Sequence, residues 1–122
     1  MATNIRLSEE TSNFADTLVE LGYFDSKITA CKFAFAYAIK ECSHDLRDPE
    51  ALDKSYPPGG SNYNVGSVDN DGFIEKLIRI MFPNVNDTAL AMRGIMLLGL
   101  TKLEELHKAN SLLPLSRHMI ND

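Results

Sequence analysis

Two groupings of side chains have the types that acid–base chemistry uses, His44 beside Asp45 and Asp69 with Asp71. Both lie in or beside a stretch rich in Pro and Gly, where charges are usually solvated, and neither comes with a nucleophile. No catalytic role is expected for them, and the sequence reads as that of a non-enzyme. Cys31, Cys42, His44, His107 and His118 are metal-ligand types. A structural zinc site needs two close ligand pairs, however, and only Cys42 and His44 are close, so no metal or other cofactor is expected. The two cysteines are eleven residues apart. On one helix that places them roughly 16 Å from each other, too far to bond. Cys31 reads as a small buried apolar residue and Cys42 as a residue at a helix end, both reduced. Gly59-Gly60-Ser61-Asn62 lacks the Lys and the following helix of a phosphate loop and reads as a turn.

The chain has 122 residues, a formal net charge of −5, 44% hydrophobic and 24% charged residues. That composition suits one modest globular domain and excludes a disordered chain. The acidity excludes a protein that coats nucleic acid by charge alone, because such affinity comes from Lys and Arg on phosphates. The longest unbroken apolar run, Gly94 to Leu100, is far short of the roughly 20 residues of a membrane helix. Residues 1–12 have no apolar core of a secretory signal, so a cytoplasmic location and no membrane partner are expected.

Thr3-Asn4-Ile5-Arg6-Leu7-Ser8 alternates, as in a strand with Ile5 and Leu7 inward and Asn4 and Arg6 outward. Ser8 then caps a helix with Glu9 and Glu10 in its first turn and Phe14, Leu18 and Leu21 at helical spacing, which Gly22 stops. Asp25 or Ser26 caps a second helix running to about Glu41, apolar over most of its circumference. Residues 45–72 change character, with Pro, Gly and acids, and read as a linker or long loop in which Tyr63 and Val65 are candidates for a brief strand. Phe73 to Phe82 is a third helix closed by Pro83, and Asp87 caps a fourth that runs to about Ala109. A buried hairpin partner explains the mostly apolar middle of that last helix, with Gly99 as a small contact point. The expected fold is mainly α, in three segments: 1–44, the acidic loop 45–72, and a helical hairpin with tail over 73–122, packed together as one domain.

The order strand, helix, Gly turn, helix resembles the ribbon-helix-helix (Arc/ParD-like) family over about residues 3–41. The resemblance rests on Asn4-Ile5-Arg6-Leu7-Ser8, Gly22-Tyr23-Phe24-Asp25-Ser26-Lys27 and the apolar run from Ile28 to Ile39. A lone short strand leaves backbone groups unpaired, and the same strand of a second chain would satisfy them. The resemblance therefore implies a homodimer or higher oligomer with DNA as partner. In it, Asn4 and Arg6 of a two-stranded ribbon would read base edges, and Ser26, Lys27 and Thr29 at the start of the second helix would hold a phosphate. The opening Ile5-Arg6-Leu7-Ser8-Glu9-Glu10 and the Cys/Ala/Phe-rich second helix are also similar to the small accessory subunit of DNA phosphorothioate-modification systems.

Charge is unevenly spread. Residues 1–44 have four basic against six acidic residues and 45–72 have two against six, so most of the net charge belongs to the loop. Residues 73–122 have six basic residues (Lys76, Arg79, Arg93, Lys102, Lys108 and Arg117) against five acidic, which puts any electropositive surface in the C-terminal half. Two functions follow as expectations. One is a dimeric DNA-binding regulator or accessory protein, antitoxin-like or repressor-like, reading DNA through the ribbon and a partner through its C-terminal helices. The other is a non-catalytic protein-interaction and oligomerisation subunit of a bacterial DNA-modification or defence complex.

Overall fold

The alternation at the N-terminus does form a strand, β1 (Asn4–Arg6), with Ile5 buried and Asn4 and Arg6 exposed. Its partner is inside the chain. In the computed structural model, which describes residues 3–109, β1 pairs antiparallel with β2 (Asn62–Asn64). The register is Asn4↔Asn64, Ile5↔Tyr63 and Arg6↔Asn62. The ladder continues past both ends, since Val65 N donates to Thr3 O at 2.9 Å and Leu7 N to Ser61 O at 2.8 Å. On the other edge of β1 the Arg6 carbonyl accepts from Arg93 Nε at 2.5 Å. The premise from which a second chain's strand was inferred, a β1 unpaired within its own chain, therefore falls. Tyr63 lies in the pairing strand, whereas Val65 opens a helix.

Three helices start and stop as expected. Ser8 and Thr11 form a reciprocal capping box at the start of α1 (Glu9–Glu20), Thr11 standing where Glu or Gln is usual. Gly22, at φ 84°, ends α1, with its N–H on Val19 O and that of Tyr23 on Leu18 O, the pair of bonds that a left-handed residue after a helix permits. Of the two cap candidates for α2 (Lys27–Glu41), Ser26 is the one used, accepting from Thr29 N at 3.2 Å. Asp87 caps α6 (Thr88–Lys108) at Ala89 N and Leu90 N.

The expected linker is a set of short elements. A 3-10 turn at Ser43–Asp45 leads to α3 (Pro49–Asp53), β2 and α4 (Val65–Val68), and then to α5 (Phe73–Met81). Among the described residues the fold is thus mainly helical, with one small two-stranded sheet. The expectation of a C-terminal hairpin needs correcting as well. α6 packs chiefly on α2 and α3, with α5 a lesser neighbour. The physical reason is in its small residues. A Cβ on Gly99 would stand 2.0 Å from the Ala34 carbonyl oxygen of α2, and one on Gly94 would stand 2.4 Å from the Pro49 carbonyl oxygen, so the backbones approach closely on two sides. α6 therefore runs through the centre of a single core that draws on Ile5, Leu18, Phe35, Val68, Ile78 and Leu103.

Arg93 belongs to this core rather than to an electropositive surface. Its side chain is 8% exposed and its guanidinium donates to Arg6 O, to Asp53 O and Oδ1 (2.9 and 2.8 Å) and to Tyr56 O (2.6 Å). One buried cation thereby fastens α6 to β1 and to the turn after α3. Arg117 and His118 lie outside the described residues.

Candidate functional site

Of the five residues expected to meet DNA, the structure keeps two together on an open surface. Asn4 and Arg6 share the exposed face of the ribbon with Asn62 and Asn64, across from which they pair. The Asn64 Oδ1 is engaged at Gly66 N (2.8 Å), where it caps α4. Asn4 and Arg6 also border a cleft of about 330 Å³ with Lys54, Tyr56 and Arg93. Asn62 and Lys54 escaped the sequence reading, although Asn62-Tyr63-Asn64 repeats the polar-apolar-polar alternation of Asn4-Ile5-Arg6.

The other three form no phosphate cradle. The Ser26 hydroxyl takes the Thr29 amide and lies 3.0 Å from the Thr29 hydroxyl, so the two residues serve the cap. Lys27 turns away from the helix start. Its Nζ donates to Ser12 Oγ at 2.8 Å and Ser61 Oγ at 2.7 Å and pairs with Asp16 at 3.2 Å. An amine between two serine hydroxyls has the outline of a base and nucleophile. An ammonium paired with a carboxylate has no lone pair to take a hydroxyl proton, however, and Ser12 is 5% exposed. What the cluster does is tie the Gly59–Ser61 turn to α1 and α2.

The acid–base candidates resolve in a similar way. Both oxygens of Asp69, which is 8% exposed, accept backbone N–H groups of α5, at Ile74 (2.9 Å) and Glu75 (3.0 Å), and Asp71 accepts from Phe73 N at 3.0 Å. The pair satisfies a helix N-terminus, where the macrodipole favours anions. His44 Nε2 lies 3.6 Å from Asp45 Oδ2, with both side chains open to solvent. No group of three or more His, Cys, Asp or Glu residues suited to a metal occurs among the described residues. Both cysteines are free and buried. Burial pushes the Cys31 thiol up to about 12 against the opposing pull of Lys27, and burial also raises Cys42. Glu104 is raised by burial first, with Glu10 adding to it.

The most unusual surface is apolar. α5 packs Ile78 into the core, yet Phe73 is 61%, Ile80 78% and Met81 41% exposed. Phe73, Leu77 and Ile80 fall within an arc of about 60° at 3.6 residues per turn. Between α5 and α2 runs a groove of about 390 Å³, floored by Phe35, Ile39, Val68, Ile74 and Leu77. The sequence gives Phe73 to Phe82 as a helix without saying which of its apolar residues are covered, because helical periodicity does not say which part of a wide apolar arc finds a neighbour.

No protein-family model matches this chain, and neither a curated protein nor a solved structure matches it. Among the described residues, no helix is long and apolar enough to cross a membrane.

Proposed function

We propose that the chain is a non-catalytic protein-interaction subunit that docks a partner on the face formed by α2 and α5. The observation that carries this reading is the exposure of Phe73 and Ile80 beside a groove that is itself apolar. Covering a large apolar side chain releases about 1.5–3 kcal/mol, so a folded protein that leaves several uncovered on one face is suited to association. A cytoplasmic bacterial DNA-modification or defence complex is the setting that fits the sequence resemblance.

A second reading has its own observation. Asn4, Arg6 and Asn62 lie exposed on one face of a two-stranded ribbon, and Arg and Asn are the side chains that pair with guanine and adenine edges. In this reading the strand-helix-helix segment is a ribbon-helix-helix-like unit that contacts DNA through an intrachain ribbon, without Lys27. One comparison separates the two. Wild type, Ile80→Ser and Arg6→Ala are used as baits in the same cells and tested for a DNA shift at about 50 mM salt, where phosphate contacts are strongest. A protein partner kept by Arg6→Ala and lost by Ile80→Ser supports the interaction subunit. A shift abolished by Arg6→Ala and unaffected by Ile80→Ser supports the ribbon. If Ile80→Ser keeps every partner of the wild type, the first reading fails.

A further inference from the structure

The cleft of about 330 Å³ beside the ribbon has four charged residues in its lining, Arg6, Asp53, Lys54 and Arg93. Two of them cancel, because Asp53 Oδ1 lies 2.8 Å from Arg93 Nη1 and both side chains are largely covered. Arg6 and Lys54 are exposed and form no ion pair among the described residues. In a chain of net charge −5, this lining thus carries two uncompensated positive charges, which select an anion. The rest of the wall is apolar, made by Tyr56, Pro57, Pro58 and Leu90. Tyr56 is held in place, half-buried against the core, with its N–H on Asp53 O at 3.2 Å and its carbonyl on Arg93 Nη2 at 2.6 Å. Glu9 and Glu10 line a neighbouring cleft that shares Tyr56 and Pro57, not this one.

Resting on the ribbon reading above, we infer that this cleft takes an unpaired nucleotide, so that the chain binds single-stranded nucleic acid rather than duplex DNA. Phosphates meet Arg6 and Lys54, a base stacks on Tyr56, and the Asn4 amide donates to and accepts from the base edge. A base inside a duplex is stacked on both faces and has none to offer an aromatic wall, whereas a single strand splays its bases out. The register of a protein on duplex DNA comes chiefly from phosphate contacts around the reading element. The residues expected to make them, Ser26, Lys27 and Thr29, are engaged within the chain. The cleft has the volume of a small-ligand site, which suits one nucleotide rather than a double helix.

The test uses the full chain and a labelled strand of about 12 nucleotides, offered single-stranded as DNA and as RNA and annealed as a DNA duplex. At about 50 mM salt, fluorescence anisotropy is expected to show saturable binding of a single strand, about tenfold tighter than of the duplex. Arg6→Ala and Lys54→Ala, both on the surface, each weaken it about tenfold. Tyr56→Leu weakens it by about as much and Tyr56→Phe does not, with circular dichroism confirming the fold of each variant. Lys54→Ala also lowers the slope of log affinity against log salt by about 0.7, the value of one single-strand phosphate, whereas Tyr56→Leu leaves the slope unchanged. If the duplex binds as tightly as the single strands and Arg6→Ala weakens it, the ribbon reading stands and the single-strand proposal is overturned. If neither form binds, both fail. Single-strand binding that Tyr56→Leu and Lys54→Ala leave intact places the strand elsewhere and overturns the cleft. If adenosine monophosphate displaces the strand at equal concentration, the occupant is a free nucleotide and the proposal again fails.

Discussion

α5 and α6 are neighbours in sequence and both are rich in apolar residues, yet one is enclosed and the other half bare. From Ala91 to Leu100 every residue of α6 is buried, whereas α5 buries Ile78 and leaves Phe73 and Ile80 mostly in water. The difference is in what lets a neighbour approach. α6 has Gly94 and Gly99 where α3 and α2 press against its backbone, and Arg93 donates to the carbonyls of Arg6 and Tyr56 as well as to Asp53. α5 has no small residue along its outer stripe, and its only anchoring face is the one that carries Ile78. Apolarity makes a helix seek cover, and only the arrangement of other elements supplies it. A helix left uncovered inside a folded domain is a candidate for covering by something else.

The sharpest way to break this contrast is to remove what organises the region around α6. Arg93→Met leaves the Asp53 carboxylate without its cation and the Arg6 and Tyr56 carbonyls without the guanidinium donor, and should lower stability by about 3–5 kcal/mol in urea unfolding. A loss under 1 kcal/mol would mean that the guanidinium is not the fastening it is taken to be. On the inner side of α5, Ile78→Ala should cost about 3 kcal/mol by creating a cavity. Gly99→Ala forces a methyl against the Ala34 carbonyl, and a loss of about 1–3 kcal/mol is expected from the displaced α2. Ile80→Ser, on the outer side of α5, should change stability by no more than about 0.5 kcal/mol while changing partner binding. If Ile80→Ser destabilises as much as Ile78→Ala, the two faces of α5 are equivalent and the contrast collapses. The smallest effect concerns the seam between α2 and α6. With the Cys31 thiol pushed up to about 12 by burial, its thiolate is scarce below that pH, so native protein should resist alkylation at pH 8 and react only once unfolded. Labelling at the rate of a free thiol would show that the seam opens.

The caps and stops were legible because they are local. Ser8, Gly22, Ser26 and Asp87 act through bonds to residues two or three positions away, and Pro83 stands just past the end of α5, where the chain cannot continue a helix. The elements of residues 45–72 were not legible, because Pro and Gly density signals irregular chain and α3, β2 and α4 are each five residues or fewer. Of the candidate site, the outward pair Asn4 and Arg6 was readable from alternation alone. The role of Lys27 was not, since nothing near it in sequence announces Ser61, which lies 34 residues away.

By itself, then, the sequence determined where α1, α2, α5 and α6 begin and end, that Ile5 and Leu7 turn inward, and that α2 and α6 must be enclosed. Capping and periodicity act over a few residues and are encoded where they operate. The tertiary structure alone decided that β1 pairs with β2, that Arg93 is a buried fastening rather than a surface charge, and that the uncovered face belongs to α5. Those outcomes depend on which distant backbones reach each side chain first, a competition among long-range contacts that no local pattern records.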